Sequence, residues 1–431
     1  MLETVPAVVR VFFVFGLILT LIRFKLSLGN AFVIGAGVLG LIFGMAPGAI
    51  LIAAGQALAD PKTLSLSVVV ALILVLSHSL EKTGQMGRLL ERFAGLITNA
   101  RLNIVIFPAL IGLLPMPGGA IFSAPMVKNI GSPSGLAGPQ LSFINYWFRH
   151  LWEYWWPLYP GVLLTTALAG IDLWVFVMAL FPLTVVAVAA GYYQLRRMMP
   201  ANPPSAAPTS PRRTLLMPFI KELTPVLIAI VPGILLGSLL EWLLAGRNFT
   251  IAKELGLIAA LTGAILWVWR VNRLPAAARR GVVLQKELLA MVYMVSAILI
   301  FKGIMLDSRA VDAVNGELLR WQVPLVAIAV VLPFIVGFVV GITIAFVGAA
   351  FPIVISLVTA TGAGDHMLAY MMLGLAGGFS GVLLSPLHLC LLLSNAYFGT
   401  TLGPVYRYLW KPCLTLVVGG LVYFVILTRF A

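Results

Sequence analysis

About ten stretches of this chain are apolar for long enough to cross a lipid bilayer, and no other property restricts its folding so severely. A hydrocarbon core of ~30 Å takes roughly 20 apolar residues per helix. Such runs lie at 7–22, 26–45, 64–80, 140–168 and 173–195, then after a break at 218–243, 251–269, 282–304, 366–397 and 410–427. Strand alternation at a period of two is absent, and backbone groups in lipid must be satisfied within their own segment, so the runs are read as helices. Of 431 residues 61% are hydrophobic and only 10% charged, a balance that a water-soluble core does not need. The fold class is therefore an all-α polytopic membrane protein.

The formal charge of +14 in a soluble chain would suggest a nucleic-acid partner. Here the excess is topological, because Lys and Arg collect in cytoplasmic loops of membrane proteins, so the expected surroundings are the lipid bilayer with no nucleic acid. Between the two sets of runs lies RRMMPANPPSAAPTSPRR, whose Pro, Ser and Ala content describes a solvated linker. It divides the protein into a first membrane repeat (1–195), a cytoplasmic linker (196–217) and a second membrane repeat (218–431). Each half also carries an apolar stretch interrupted at its centre, with PMPGGA inside 104–127 and VVGITIAFVGAAFP inside 325–360. Gly and Pro at corresponding places of two halves suit re-entrant hairpins whose turns are buried at membrane depth. If both hairpins return to the side they entered, most of the 28 Lys and Arg fall in the cytoplasm, among them Arg88, Arg92, Arg196, Arg197, Arg270 and Arg279. Both termini then lie outside a cytoplasmic (inner) membrane. The halves start on opposite sides, as inverted repeats do. Phe107-Pro108 with Gly112 and Pro125 answers to Leu332-Pro333 with Gly337 and Pro352, and PLYPGVLL from Pro157 answers to PLHLCLLL from Pro386.

Two Gly/Pro-tipped hairpins, each followed by a long Pro-broken helix, resemble the ion transporter superfamily of gluconate permeases, C4-dicarboxylate carriers, citrate carriers and some sodium/proton antiporters. LLPMPGGAIFSAPMV and GGFSGVLLSPLHLCLLLSNAYF look like an uncharacterised prokaryotic integral-membrane family within it. The resemblance covers essentially the whole chain. It implies a scaffold and a moving transport subdomain in each half, a homodimer, and elevator-type alternating access. The Ser-Asn-Thr hairpin signature of the dicarboxylate/sodium carriers is missing, with Pro117-Gly118-Gly119 and Gly341-Ile342-Thr343 in its place, so their specificity and sodium coupling do not carry over.

Hairpin tips expose backbone N–H groups that hold anions without a charged side chain. Pro117, Gly118, Gly119 and Gly341 allow a ligand close to that backbone, and Ser123 and Thr343 add hydroxyls. Glycines here also suit plain hairpin packing. The most polar stretch within a span is NYWFRHLWEYWWPLYP. In it Arg149 suits a carboxylate substrate, while His150 and Glu153 suit a proton, as ionisable groups at depth are costly unless used. Arg149 and Glu153 stand four apart, so an internal helical ion pair competes with that reading. In the second half Ser385, His388 and Asn395 interrupt an apolar helix near Pro386. His388 aligns with Tyr159, so both face one central cavity in this scheme, and His388 is a further proton-coupling candidate. Cys390 and Cys413 lack zinc or redox spacing and read as packing residues.

No catalytic constellation, zinc-protease ligand set or P-loop is recognised in the sequence, and no cofactor is expected beyond a coupling ion, a proton or a sodium whose ligands are unassigned. These features predict a non-enzymatic secondary transporter of a small organic anion, a carboxylate by preference, coupled to a proton or sodium. The alternatives are a sodium/proton or other ion antiporter without organic substrate and, lower, a membrane-embedded enzyme.

Overall fold

The computed structural model describes residues 5–94, 96, 99–116, 118–199, 212–244, 251–321 and 324–430. Pro117 and the linker segment 200–211 lie outside them. The first half comprises α1 (Ala7–Arg23), α2 (Leu28–Ile42), α3 (Pro47–Ala59), α4 (Pro61–Lys82), α5 (Gln85–Ala94), α6 (Ala100–Gly112), α7 (Ala120–Gly131), α8 (Gly138–Arg149), α9 (Pro160–Ala169) and α10 (Leu173–Met198). The second comprises α11 (Arg212–Leu243), α12 (Ala252–Val271), α13 (Ala276–Val283), α14 (Lys286–Asp307), α15 (Ala310–Arg320), α16 (Leu325–Val340), α17 (Thr343–Ala360), α18 (Met367–Leu384), α19 (Leu389–Tyr397) and α20 (Leu402–Phe430). There is no β-strand among the described residues.

Several helices begin where local chemistry dictates. Asp60 caps α4 by accepting the Thr63 N–H at 3.1 Å, and Pro61 takes the first helical position, where its missing N–H costs nothing. Asp172 caps α10 by accepting the N–H groups of Trp174 and Val175, each at 2.9 Å. Asn99 caps α6 in the same way through Arg101 and Leu102. Eight helical segments among the described residues are long and apolar enough to cross a membrane, in agreement with a polytopic protein. Burial sorts them: the apolar window within Gly364–Tyr397 is 83% buried, whereas the apolar windows of α11 and α20 are 28% buried. The broken helix therefore sits at the centre and the other two lie at the periphery.

Two expected spans are not continuous. The run 140–168 divides into α8 and α9 around residues 150–159, and the run 366–397 into α18 and α19 around residues 385–388. Pro157 and Pro386 have no N–H to continue a helix, and Pro160 is placed to start one. Short helices α3, α5, α13 and α15 lie between the expected spans; of α3 only Ala53 is buried.

The packing recurs in pairs. Helix α6 packs on α7 and α8, as α16 does on α17 and α18. The second arm of each hairpin crosses to the opposite half, α7 against α19 and α17 against α9. Likewise α2 packs on α14, α12 on α4, α11 on α5 and α1 on α15. Each hairpin helix meets its broken helix at a glycine. A Cβ on Gly112 would overlap the carbonyl oxygen of Arg149, and one on Gly337 would overlap that of Gly378. Arg149 and Gly378 stand at the same distance before the aligned prolines (157 − 149 and 386 − 378, both 8).

Candidate functional site

Four interruptions of helix meet in the middle of the protein. In the first hairpin α6 ends at Gly112 and α7 begins at Ala120. In the second, α16 ends at Val340, Gly341 takes a left-handed conformation (φ 72°) that only glycine adopts without strain, and α17 begins at Thr343. The breaks of α8–α9 and α18–α19 face them. Together they enclose a cavity of about 280 Å³ whose walls include Met116, Gly118, Arg149, His150, Glu153, Tyr159, Gly341, Thr343, His388 and Cys390. The starts of α9, α17 and α19 all reach this cavity, through Pro160, Thr343 and Leu389, which brings the positive ends of three helix dipoles to it.

The residues that begin the second half-helices play matching parts. Tyr159, before α9, donates its hydroxyl to the Gly112 carbonyl at 2.7 Å, the last residue of α6. His388, before α19, turns Nδ1 to the Gly341 carbonyl at 2.9 Å, just after α16. Each broken helix is thereby tied to the open end of a hairpin.

Arg149 is the last residue of α8 and only 2% exposed. Its Nη2 donates to the Met116 carbonyl at 2.6 Å, and Nη1 lies 3.3 Å from His150 Nε2. Gly119 makes room for this guanidinium, because a Cβ there would stand 2.6 Å from Nη2. Among the described residues no carboxylate pairs with Arg149, and its buried Nε has no partner. The helical pair with Glu153 considered from spacing does not form, because α8 has ended before Glu153 is reached. Instead Glu153 accepts the Thr343 hydroxyl at 2.6 Å and lies 3.7 Å from His150 Nε2.

His150 and His388 approach each other across the two halves, with Nε2 atoms 3.1 Å apart. Their tautomers follow from the other ring nitrogens. His150 Nδ1 is 2.6 Å from the Tyr146 carbonyl and His388 Nδ1 faces that of Gly341. A carbonyl only accepts, so both Nδ1 atoms carry hydrogen.

Sequence-predicted residues divide into two groups. Gly118, Arg149, His150, Glu153, Gly341, Thr343 and His388 line the cavity. Ser123, Ser385 and Asn395 are buried beside it in polar contacts of their own. Ser123 donates to Asn145 at 2.6 Å, Asn145 donates to Ser394 at 2.9 Å, and Ser142 donates to Asn395 at 2.5 Å. Ser385 accepts the Leu387 N–H at 3.2 Å and shapes its own turn. Cys390, read from sequence as packing, stands against the cavity with its sulfur near both imidazoles. Its position two residues after His388 at the start of a half-helix was the available signal. Cys413 is buried elsewhere.

The chain matches, over residues 6–426, the family described as protein of unknown function (DUF401), and it belongs to that family. Its fold is similar to that of the Alcanivorax borkumensis YdaH transporter, a crystal structure described as having an unusual topology. The TM-score is 0.60 and the identity 16%, with 87% of each chain covered. A search of curated protein sequences returned no match.

Proposed function

We propose that this DUF401 member is a secondary transporter that carries a small organic anion, a carboxylate by preference, through the cavity between its hairpins and broken helices. The observation that carries the reading is Arg149: a buried cation without an anionic partner among the described residues, on the wall of a cavity where half-helices begin. A charge withdrawn from water and left unpaired costs several kcal/mol, and an anion in the cavity offsets that cost. The fold shared with the YdaH transporter supports transport as the general activity.

The same reading makes the hairpins re-entrant and the halves inverted repeats within the ion transporter superfamily. The paired glycine contacts at Gly112 and Gly337 and the paired ties from Tyr159 and His388 support a duplication. On this account the hairpins and broken helices move together as an elevator against the remaining helices, driven by a proton or sodium gradient. Both termini face outside the inner membrane, and the working unit is a homodimer.

The test is a thermal-shift screen of the detergent-solubilised protein against small carboxylates, sulfonates and inorganic anions, with and without sodium and at two pH values. A ligand at ~100 times its dissociation constant adds roughly 2.7 kcal/mol to the folded state. A stabilising carboxylate is the expected result. A response to sodium or pH with none to any anion would replace this reading with an ion exchanger.

A further inference from the structure

His150 and His388 present a problem that the surrounding hydrogen bonds do not solve. With hydrogen fixed on both Nδ1 atoms by the Tyr146 and Gly341 carbonyls, each neutral ring turns a bare lone pair outward from Nε2. The two Nε2 atoms are 3.1 Å apart and buried. The Arg149 guanidinium, 3.3 Å from His150 Nε2, satisfies at most one of them. A cation between the two nitrogens relieves the repulsion of facing lone pairs.

We propose that His150 Nε2, His388 Nε2 and Cys390 Sγ form a binding site for a thiophilic transition-metal cation of the Zn²⁺ type, with a fourth position open to the cavity. The donor atoms of the three residues lie within 4.8 Å of one another. Two imidazole nitrogens bound tetrahedrally at ~2.0–2.1 Å stand about 3.3 Å apart, close to the 3.1 Å seen here. Each ring also gives its other N–H to a backbone carbonyl, the second contact that metal-bound histidines characteristically make. A proton shared by the two rings would satisfy the lone pairs equally, yet it would need no third donor, and the sulfur of Cys390 favours a soft metal.

Charge and access agree. Cys390 loses its thiol proton to solvent as the sulfur–metal bond forms. The resulting thiolate and the Glu153 carboxylate, 3.7 Å from His150 Nε2, offset the two charges of the cation and leave that of Arg149 for an anion. All three ligands line the cavity, which supplies an entry path. The site stands whether or not the substrate is a carboxylate, because its test reads the metal alone.

Tag-free, chelator-treated full-length protein in detergent is titrated with Co²⁺ and followed by absorption. One equivalent is expected, with a thiolate-to-cobalt charge-transfer band in the near ultraviolet, tetrahedral bands in the visible, and displacement by Zn²⁺. Cys390→Ser loses the charge-transfer band and binds at least tenfold more weakly, while Cys413→Ser behaves as wild type. As a measurement that needs no variant, Zn²⁺ protects Cys390 of the wild-type protein from a small alkylating reagent. Folded protein that takes up no cobalt, an unchanged spectrum in a folded Cys390→Ser variant, or alkylation of Cys390 at the same rate with and without Zn²⁺ would overturn the proposal, and the first of these would leave a shared proton as the bridge.

Discussion

Replacing Arg149 with Gln distinguishes a counter-charge for substrate from a structural cation, because the two roles give the unliganded and liganded protein different responses. The guanidinium is 2% exposed and makes one hydrogen bond to a carbonyl, that of Met116 at 2.6 Å. Losing that donor costs ~1–3 kcal/mol, whereas removing a buried charge with no partner recovers several kcal/mol of desolvation. The unliganded Arg149→Gln protein should therefore melt at or above the wild-type temperature. Binding should change in the opposite sense. An anion left in the cavity without its cation loses ~3–5 kcal/mol, which at about 1.4 kcal/mol per tenfold is two to four decades in affinity. At a ligand concentration ~100 times the wild-type dissociation constant, the stabilisation of roughly 2.7 kcal/mol should fall below about 0.4 kcal/mol. Thermal unfolding with and without ligand, supported by titration calorimetry, measures both quantities. A variant that keeps the wild-type ligand shift would refute the assignment. So would one that unfolds without ligand while its folded fraction still binds normally.

Other perturbations address the framework. Gly112→Ala and Gly337→Ala each drive a Cβ into a backbone carbonyl and should abolish monodisperse protein in gel filtration, while Gly55→Ala, with no atom near the added methyl, should be neutral or stabilise by ~0.5–1 kcal/mol. Equal behaviour of the three would discredit the packing argument. Tyr159→Phe leaves the Gly112 carbonyl without its 2.7 Å donor and should cost ~1–3 kcal/mol, read by thermal unfolding; no change would mean that the tie contributes nothing. Burial opposes the charge of Asp172, but hydrogen bonds from Lys253 and from the Val175 and Trp174 N–H groups, with the Lys253 charge, outweigh it and hold the carboxyl below the usual range. Because the native value is the lower one, its contribution is complete above the ordinary Asp value of ~3.9 and is lost as pH falls below it. Asp172→Asn should flatten the acid limb of the melting-temperature profile, and an unchanged limb would show that this pair is not what acid disrupts.

The parts of this molecule that are legible in sequence are those governed by local chemistry. Runs of apolar residues mark the spans, and Pro157 and Pro386 locate the breaks because proline acts on its own backbone. The alignment of Pro157 with Pro386 also assigns Tyr159 and His388 to one cavity, and both residues line it. What stayed hidden depends on contacts between distant segments. Spacing alone pairs Arg149 with Glu153, yet the chain leaves the helix between them and Glu153 finds Thr343, 190 residues away. Cys390 reads as a packing residue because its partner His150 is supplied by the other half. Helix α3 leaves no pattern in the sequence because only Ala53 is buried, so its apolar residues follow no inward-facing period. The role of Ser123 and Asn395 as members of a polar chain rather than of the cavity wall rests on Asn145 and Ser142, which no local pattern connects to them.

Transport itself is the most direct test. Purified protein in liposomes, loaded with an unlabelled carboxylate selected by the thermal-shift screen and diluted into a trace of the labelled compound, should accumulate label by counterflow, and Arg149→Gln liposomes should not. Counterflow of that anion that survives in Arg149→Gln, or its absence in wild-type liposomes shown to contain folded protein, would contradict an anion carrier built around this cavity.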